Sequence, residues 1–405
     1  MVDQKGASSS DRAASRGTKI ALRFVLLVGV LSFFADFTYE GSRSIIGPYL
    51  ASFGASATAV GIITGLGEFL GYGLRLVSGR LADATGRFWP ITVFGYCVQM
   101  AAVPALALAG DWPSAAALIV LERVGKAIRN PPRDVMLSHA GKRIGGYGWA
   151  FGLHEAMDQS GAMVGPLLVA AVLLHGGGYR MAFAVLLAPA LINIAFVLLV
   201  RWLYPRPQEL DASPPAISGG GLTSVYWLYL AAAALIAAGF ADYPLIAYHF
   251  RRAGVVPGDW IAVFYSIAMA VSGSGSLLFG RLFDKFGFGV LIVLTVLSAA
   301  FAPLVFFGGF WAALLGAAFW GLGIGVHESI IPAAVAPMVP VQRRASAFGL
   351  FTAVYGLFWF LGSAAIGILY DHSVAATVIF CVVVELTALP ILISVAWRYR
   401  ELPHG

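Results

Sequence analysis

The chain has 405 residues, 59% hydrophobic and 11% charged, with a formal net charge of +6 and a mean hydropathy of +0.83. Soluble domains carry about a quarter charged residues, so a water-soluble globular fold and a disordered chain are both excluded and a polytopic membrane protein is expected. The positive balance would suit a nucleic-acid partner, but its distribution gives a better explanation, and no nucleic-acid partner is expected.

Residues 1–19 are polar and Ser-rich and lack the cleavage pattern of a signal peptide, so they read as a disordered cytoplasmic tail. From residue 20 onward, apolar runs of about 20 residues, the length that crosses a hydrocarbon core of about 30 Å, recur to the end of the chain. β-Barrel alternation is absent, leaving helices as the spanning elements. Twelve runs are predicted. Counting connectors from the N-terminus, Lys5, Arg12, Arg16, Lys19, Arg23, Arg80, Arg87, Lys142, Arg143, Arg201, Arg206, Arg281, Lys285, Arg343, Arg344, Arg398 and Arg400 collect on one side. Arg180, Arg251 and Arg252 fall on the other. By the positive-inside rule both termini are expected in the cytoplasm, with the chain crossing a bacterial inner membrane many times.

The first run places Asp36, Glu40 and Arg43 on one helix face by i, i+4 and i+7 spacing, a face that must avoid lipid. The second carries Glu68 and Arg75, again co-facial. Between the second and third lies "GRLADATGR", residues 79–87. The fourth helix is expected to start near Ser114. At 1.5 Å per residue, Arg123 then lies about 13 Å and Lys126 about 18 Å into the bilayer. Glu122, Lys126, Arg129 and Arg133 share an arc of roughly 60°, flanked by Arg123 and Asn130, while Val124 and Ile128 lie opposite and face lipid. Pro131 and Pro132 are expected to bend or break this helix, leaving Arg133 and Asp134 at the cytoplasmic mouth.

The fifth run holds His154, Glu155 and Asp158, followed by Gly161, Gly165 and Pro166, whose small residues at i and i+4 allow close helix packing. "YPRPQELDASPPAISGGG" starts at Tyr204, rich in Pro, Gly and Ser. It is expected to be a cytoplasmic linker over 204–222, between six-helix bundles at 20–203 and 223–398, with a cytoplasmic tail at 399–405. The seventh run carries Asp242, with His249 near its outer end as a structural hydrogen-bonder. The tenth carries His327 and Glu328, and the eleventh Tyr355, Trp359 and Phe360. Cys97 and Cys381 both lie in apolar runs and read as core residues, so no disulfide or cysteine metal cluster is expected.

The halves echo each other. "FADF" at 34–37 answers "FADY" at 240–243, "GRLADATG" at 79–86 answers "GRLFDKFG" at 280–287, and "AFGL" at 150–153 returns at 347–350. Gly79, Leu81, Asp83, Gly86 and Arg87 together resemble the loop signature of the major facilitator superfamily. The second copy keeps Gly280, Leu282, Asp284 and Gly287 but has Phe288 in place of the arginine. The resemblance implies an all-α fold of twelve transmembrane helices in two pseudo-symmetric six-helix bundles. It implies a cytoplasmic gate built from Gly79, Asp83, Gly86, Arg87, Gly280 and Asp284. Arg123 stands where the superfamily often has an arginine on its fourth helix, and "GAMVGP" at 161–166 resembles the core of its antiporter signature, without the trailing glycines.

Such folds bind substrate near the midplane, between halves that rock about it. A secondary transporter follows, with proton-coupled export of a small molecule as the leading expectation. Proton-coupled import of a small organic anion or zwitterion is the alternative, and a non-transporting sensor or scaffold a remote one. Burial disfavours an ionised carboxylate and a neighbouring arginine favours it, so paired buried acids suit proton coupling. Asp36 and Glu40 set against Arg123 are the expected coupling site, and His154, Glu155 and Asp158 a second. Arg43, Glu122, Lys126, Arg129, Asp242, His327, Glu328, Tyr355 and Trp359 are expected around the substrate cavity, with Phe33, Phe37, Trp149 and Phe360 as further candidate walls. The cationic helix-four face favours an anion or zwitterion, whereas the His, Glu and Asp groups suit a cation. Neither HExxH, nor a nucleophile constellation, nor GxxxxGK[ST] occurs in the sequence, so an enzyme or ATP-driven pump is not expected. The expected partners are the substrate, protons and lipid, with the proton gradient as energy source, no cofactor or metal, and a monomeric state.

Overall fold

The computed structural model describes residues 9–141, 144, 147–207, 222–331, 334–335, 338–339 and 344–400. Among them there is no strand. In chain order the spanning elements are α1 (Ser9–Ser52), α2 (Ala57–Thr85), α3 (Phe88–Ala105), α4 (Trp112–Gly141), α5 (Tyr147–Leu174), α6 (Tyr179–Val185 and Leu187–Leu203) and α7 (Ser224–Gly239 and Tyr243–Ala253). They continue with α8 (Gly258–Phe286), α9 (Phe288–Ala299 and Phe301–Phe307), α10 (Phe310–Gly325, running into a π-helix at Val326–Ile330), α11 (Arg344–His372) and α12 (Val374–Arg400). Eleven segments are long and apolar enough to cross a membrane; α4, with 30 residues, is long enough but too highly charged to qualify by composition.

Proline positions account for most interruptions. A proline removes the N–H that would bond four residues back. Pro189 and Pro303 withdraw the donors for Val185 and Ala299, where the first segments of α6 and α9 end. Pro131 and Pro132 do not break α4, contrary to expectation: the helix runs unbroken to Gly141. The Ala127 carbonyl, which Pro131 leaves without its helical donor, is bonded instead by Ser78 Oγ of α2 at 2.8 Å. The N-terminal expectation is also corrected. Residues 9–19 are helical rather than disordered, because extending a helix already formed by the apolar run costs far less than nucleating one. Residues 1–8, the linker at 208–221, the C-terminal residues 401–405 and the side chains of Asp83, Asp284 and Trp149 lie outside what is described.

Within each half the helices pack on their own neighbours: α1 on α5 and α6, and α3 on α4; then α7 on α12, and α8 on α10. The halves meet through α2 against α11, α5 against α8, and α1 against the second segment of α7. Glycines set how close these crossings come. A Cβ on Gly47 would lie 2.8 Å from the carbonyl carbon of Pro244 and the nitrogen of Tyr248, and one on Gly367 would lie 2.6 Å from the carbonyl oxygen of Ala57. These contacts, with Asp371 accepting from the first N–H groups of α2 (Ala57, 3.1 Å; Thr58, 2.8 Å), close the end of the bundle that carries the α1–α2 and α7–α8 turns. We call this end distal and the opposite one, where α1 begins and α12 ends, proximal.

Gly161 and Gly165 seat α5 directly on the backbone of α1. A Cβ would lie 3.0 Å from Phe37 N at Gly161 and 3.0 Å from Phe37 Cα at Gly165. Close packing is therefore a sufficient reason for both. Gly165→Val is expected to lower stability by about 1–3 kcal/mol through overpacking, read as a reduced melting temperature of detergent-purified protein, while Gly71→Ala, mid-helix with no atom within 4 Å, does not lower it.

Candidate functional site

Between the halves, on the proximal side of the distal seal, lies a cavity of about 360 Å³. The N-terminal half lines it with Asp36 and Glu40 of α1, Tyr72 and Arg75 of α2, Lys126, Asn130, Arg133 and Asp134 of α4, and His154, Glu155, Asp158 and Gln159 of α5. The C-terminal half adds Met269 of α8, His327 and Glu328 of α10, and Phe351, Thr352 and Tyr355 of α11. The arc of α4 charges does face inward, while Val124 and Ile128 open on a separate apolar groove shared with α2 and α3. His327 and Glu328 sit within the π-helix, where the widened turn leaves the usual helical register.

Deeper, towards the distal seal, a smaller pocket of about 40 Å³ is bounded by Tyr39, Arg43, Glu68, Arg123 and Trp359. Here Glu68 Oε1 accepts from Arg43 Nη2 at 3.1 Å and pairs with Arg123 Nη2 at 2.8 Å. Arg43 Nη2 also reaches Asp242 Oδ1 across the interface at 3.1 Å, and Ser363 Oγ donates to Asp242 Oδ2 at 3.2 Å. Arg123 and Lys126 both lie over the ring of Tyr39, at 4.7 and 4.0 Å from its centroid. Two arginines thus share one carboxylate, Arg123 and Lys126 share one aromatic face, and Tyr39, Arg43, Glu68, Arg123 and Asp242 are each at most 8% exposed. Such a cluster holds only while every charge keeps its partner, because an unpaired ion in this setting bears the full desolvation cost.

A second chain of contacts is confined to the N-terminal half. Arg129, with no exposed surface, donates from Nε to Gln99 Oε1 at 2.6 Å and from Nη1 to Tyr96 OH at 3.1 Å, and its Nη2 lies 3.6 Å from Asp36. Gln99 passes its amide on to Glu122 at 2.8 Å. Lys126 sits 3.8 Å from Asp36. Arg133 holds Asp134 at 2.7 Å and donates to Ser32 at 3.2 Å, and Ser32 meets His154 Nε2 at 2.6 Å. Across the interface, Tyr265 of α8 donates to Glu40, and Gln159 links Glu155 (3.0 Å) of its own helix to Glu328 (3.4 Å); within the C-terminal half, Tyr355 bonds His327 Nδ1.

Several expected placements change. Arg123 does not face Asp36 and Glu40: it pairs with Glu68 and lies 3.6 Å from Glu122, because its position on α4 is one helical turn nearer the distal end. Glu122, Arg129 and Asp242 are buried at 3%, 0% and 2% exposure and lie behind the cavity wall rather than on it. Arg43 and Trp359 line the smaller pocket. Arg133 is buried, not at an open mouth, whereas the Asp134 side chain is 41% exposed. His249 bonds Tyr370 OH at 2.8 Å, away from the cavity. In the gate segment, Gly86 ends α2 at φ +63°, and Gly287 ends α8 at φ +61°, the left-handed region that favours glycine. The sequence reading omitted Tyr265, Gln99 and Tyr96. Gln99 and Tyr96, three apart in an apolar run, carry a signal as co-facial polar groups; for Tyr265 the sequence offers none.

Glu68 is the carboxylate that joins the two arginines, so its removal tests the deep cluster. Glu68→Gln is expected to destabilise by about 3–5 kcal/mol, leaving two buried cations short of charge. Glu68→Gln combined with Arg123→Gln is expected to recover part of that loss, the non-additivity being read from thermal melts.

The fold and cavity place the chain among proteins already known. The family model for the Major Facilitator Superfamily matches residues 26–307 and 258–405. An uncharacterised protein of Mycobacterium tuberculosis (strain H37Rv) is 39% identical over 389 residues, covering 94% of this chain and 95% of that protein. An uncharacterised MFS-type transporter of Methanocaldococcus jannaschii is 25% identical over 369 residues, covering 88% and 90%. Among solved structures, a POT family transporter in complex with 5-aminolevulinic acid superposes with a TM-score of 0.72 at 12% identity, covering 94% of this chain and 96% of that one. With twelve helices in two halves around an interfacial cavity and a family match along most of its length, this multi-pass membrane protein belongs to the Major Facilitator Superfamily.

Proposed function

We propose that the chain is a proton-coupled secondary transporter that exports a small organic cation from the cytoplasm in exchange for protons, with both termini cytoplasmic in a bacterial inner membrane. One observation carries the choice of ligand. Of the six carboxylate side chains lining the cavity, Asp36 is held by Lys126 and Arg129, Asp134 by Arg133, and Glu40 by the Tyr265 hydroxyl. Glu155, Asp158 and Glu328 are left: Glu155 and Glu328 accept from the neutral Gln159 amide, and among the described residues no lysine or arginine pairs with any of the three.

The α4 cations that favour an anion in the bare sequence are occupied by the protein's own acids. On α2, Arg75 also lines the cavity and lies over the Tyr72 ring at 5.0 Å, with no ion pair among the described residues. The reading of anion or zwitterion import therefore loses its main support. Tyr72, Phe351 and Tyr355 add aromatic faces on which a cation is favoured. A volume of about 360 Å³ is near the lower end of the roughly 300–1,000 Å³ of small-molecule sites. Among the described residues no cluster of three metal-ligating side chains occurs, so an organic cation is the occupant proposed.

The same three acids supply coupling. A carboxyl that bears a proton cannot serve an ammonium group as an anion, so cation and proton compete for them. With cytoplasmic termini, the sealed distal end faces outward and the cavity belongs to the inward-facing state. There, low proton activity leaves the acids free to take a cation; after reorientation, protons from outside displace it. The Methanocaldococcus jannaschii relative and the solved neighbour are described as transporters, which supports the general class.

The test is proteoliposomes holding a pH-sensitive dye, challenged with spermidine, tetraethylammonium and ethidium, and with succinate and glucose as anionic and neutral controls. Proton release driven by one or more of the cations is expected, and is lost in Asp158→Asn combined with Glu328→Gln. Coupled flux with succinate alone, or cation-driven flux intact in the double variant, contradicts the proposal.

A further inference from the structure

α12 carries a carboxylic acid that the cavity does not use. Glu385 has no exposed surface, and neither carboxyl oxygen has a hydrogen-bond partner. Ser298 Oγ of α9, a helix packed on α12, is likewise buried without a partner. No charged group answers Glu385 from the elements packed around it. α9 has no ionisable residue between Phe288 and Phe307, and α11 has only tyrosines, Tyr355 and Tyr370, between Ala347 and Tyr370. The first segment of α7 offers Tyr226 and Tyr229, whose hydroxyls bond Ala347 and Ile331 carbonyls; α12 itself offers Cys381.

What Glu385 does face is the point where α7 comes apart. A Cβ on Gly239, the last residue of the first α7 segment, would lie 2.8 Å from Glu385 Cγ and 2.9 Å from its backbone nitrogen. The next helical residue is Tyr243, and Asp242 caps that second segment in an extended conformation. The end of the first segment presents carbonyls released from helical bonding and the negative pole of the helix dipole. Those carbonyls are acceptors, and of the two forms of a carboxyl only the neutral one has a proton to donate to them. Asp242, three residues beyond Gly239, is the C-terminal half's partner for Arg43.

We infer that Glu385 is a second proton-binding residue, separate from the cavity acids, whose neutral form backs the α7 break in this state and whose ionisation moves that break and the Asp242 tie to the other half. A proton is the whole ligand: it binds one carboxyl oxygen and leaves to water when the break opens a path. A buried carboxyl with no partner lowers stability, and this role in switching explains its retention there. The inference rests on the proton-coupled reading above.

The test joins infrared spectroscopy of purified protein in lipid with transport. At neutral pH the wild type is expected to show a protonated-carboxyl C=O band that Glu385→Gln removes, while Glu385→Leu melts no lower than wild type. In liposomes both variants are expected to lose the wild-type dependence of transport on pH while still binding the cation that the wild type carries. A carboxyl region unchanged by Glu385→Gln, or pH profiles that superimpose on wild type, overturns the inference. A wild type that moves no protons with any probe sinks the coupling reading instead, and the infrared band still reports whether Glu385 holds a proton.

Discussion

A guanidinium in a hydrocarbon slab must be matched or it will not stay there, and Arg43 is matched from both halves of the molecule at once. Glu68 approaches from α2 and Asp242 from the break in α7, each at 3.1 Å. Arg123 leans on the same Glu68 oxygen, so the fourth helix is tied into the same knot. The halves are therefore joined by charge as well as by packing. A change in any one partner is felt by groups on three N-terminal helices and one C-terminal helix, which is what a coupling device between moving bundles requires.

The two ends of the bundle use different physics. The distal end is sealed by backbone: Gly47 against Pro244 and Tyr248, Gly367 against Ala57, and a carboxylate, Asp371, on the N-terminus of α2. Contacts made through glycines and helix ends can part without stranding charged groups in lipid. The cavity on the proximal side is lined by ionisable groups instead, with two of its six carboxylates paired to the protein's own cations and four not, among the described residues. That division separates residues that hold the halves together from residues free to meet a ligand.

Much of this was legible in the sequence. Hydropathy and repeated motifs gave the helical class and the two halves, and 3.6-residue spacing separated Lys126, Asn130 and Arg133, which line the cavity, from Val124 and Ile128, which open on an apolar groove. Pairing was not legible, because which acid meets which base depends on relative helix height and rotation, which spacing along one helix cannot supply. Arg123 therefore went to Glu68 rather than to Asp36 and Glu40. Pro131 misled for a related reason: the rule describes an isolated helix, and Ser78, a residue of another helix, supplies the missing donor. The acid excess of the cavity, six carboxylates against Arg75, Lys126 and Arg133, appears only once the lining is known.

Beside the backbone seal, the Arg43–Asp242 tie joins α1 to the break in α7, so loss of the tie is expected to let the distal end part. Pulsed electron resonance distances between spin labels at Ser52→Cys and Ala253→Cys, at the distal ends of α1 and α7, with Cys97 and Cys381 replaced by serine and the protein in lipid nanodiscs, read this directly. A single short-distance population is expected, with a second, longer one appearing when Asp242→Asn is added. Superimposable distance distributions with and without Asp242→Asn would contradict the account.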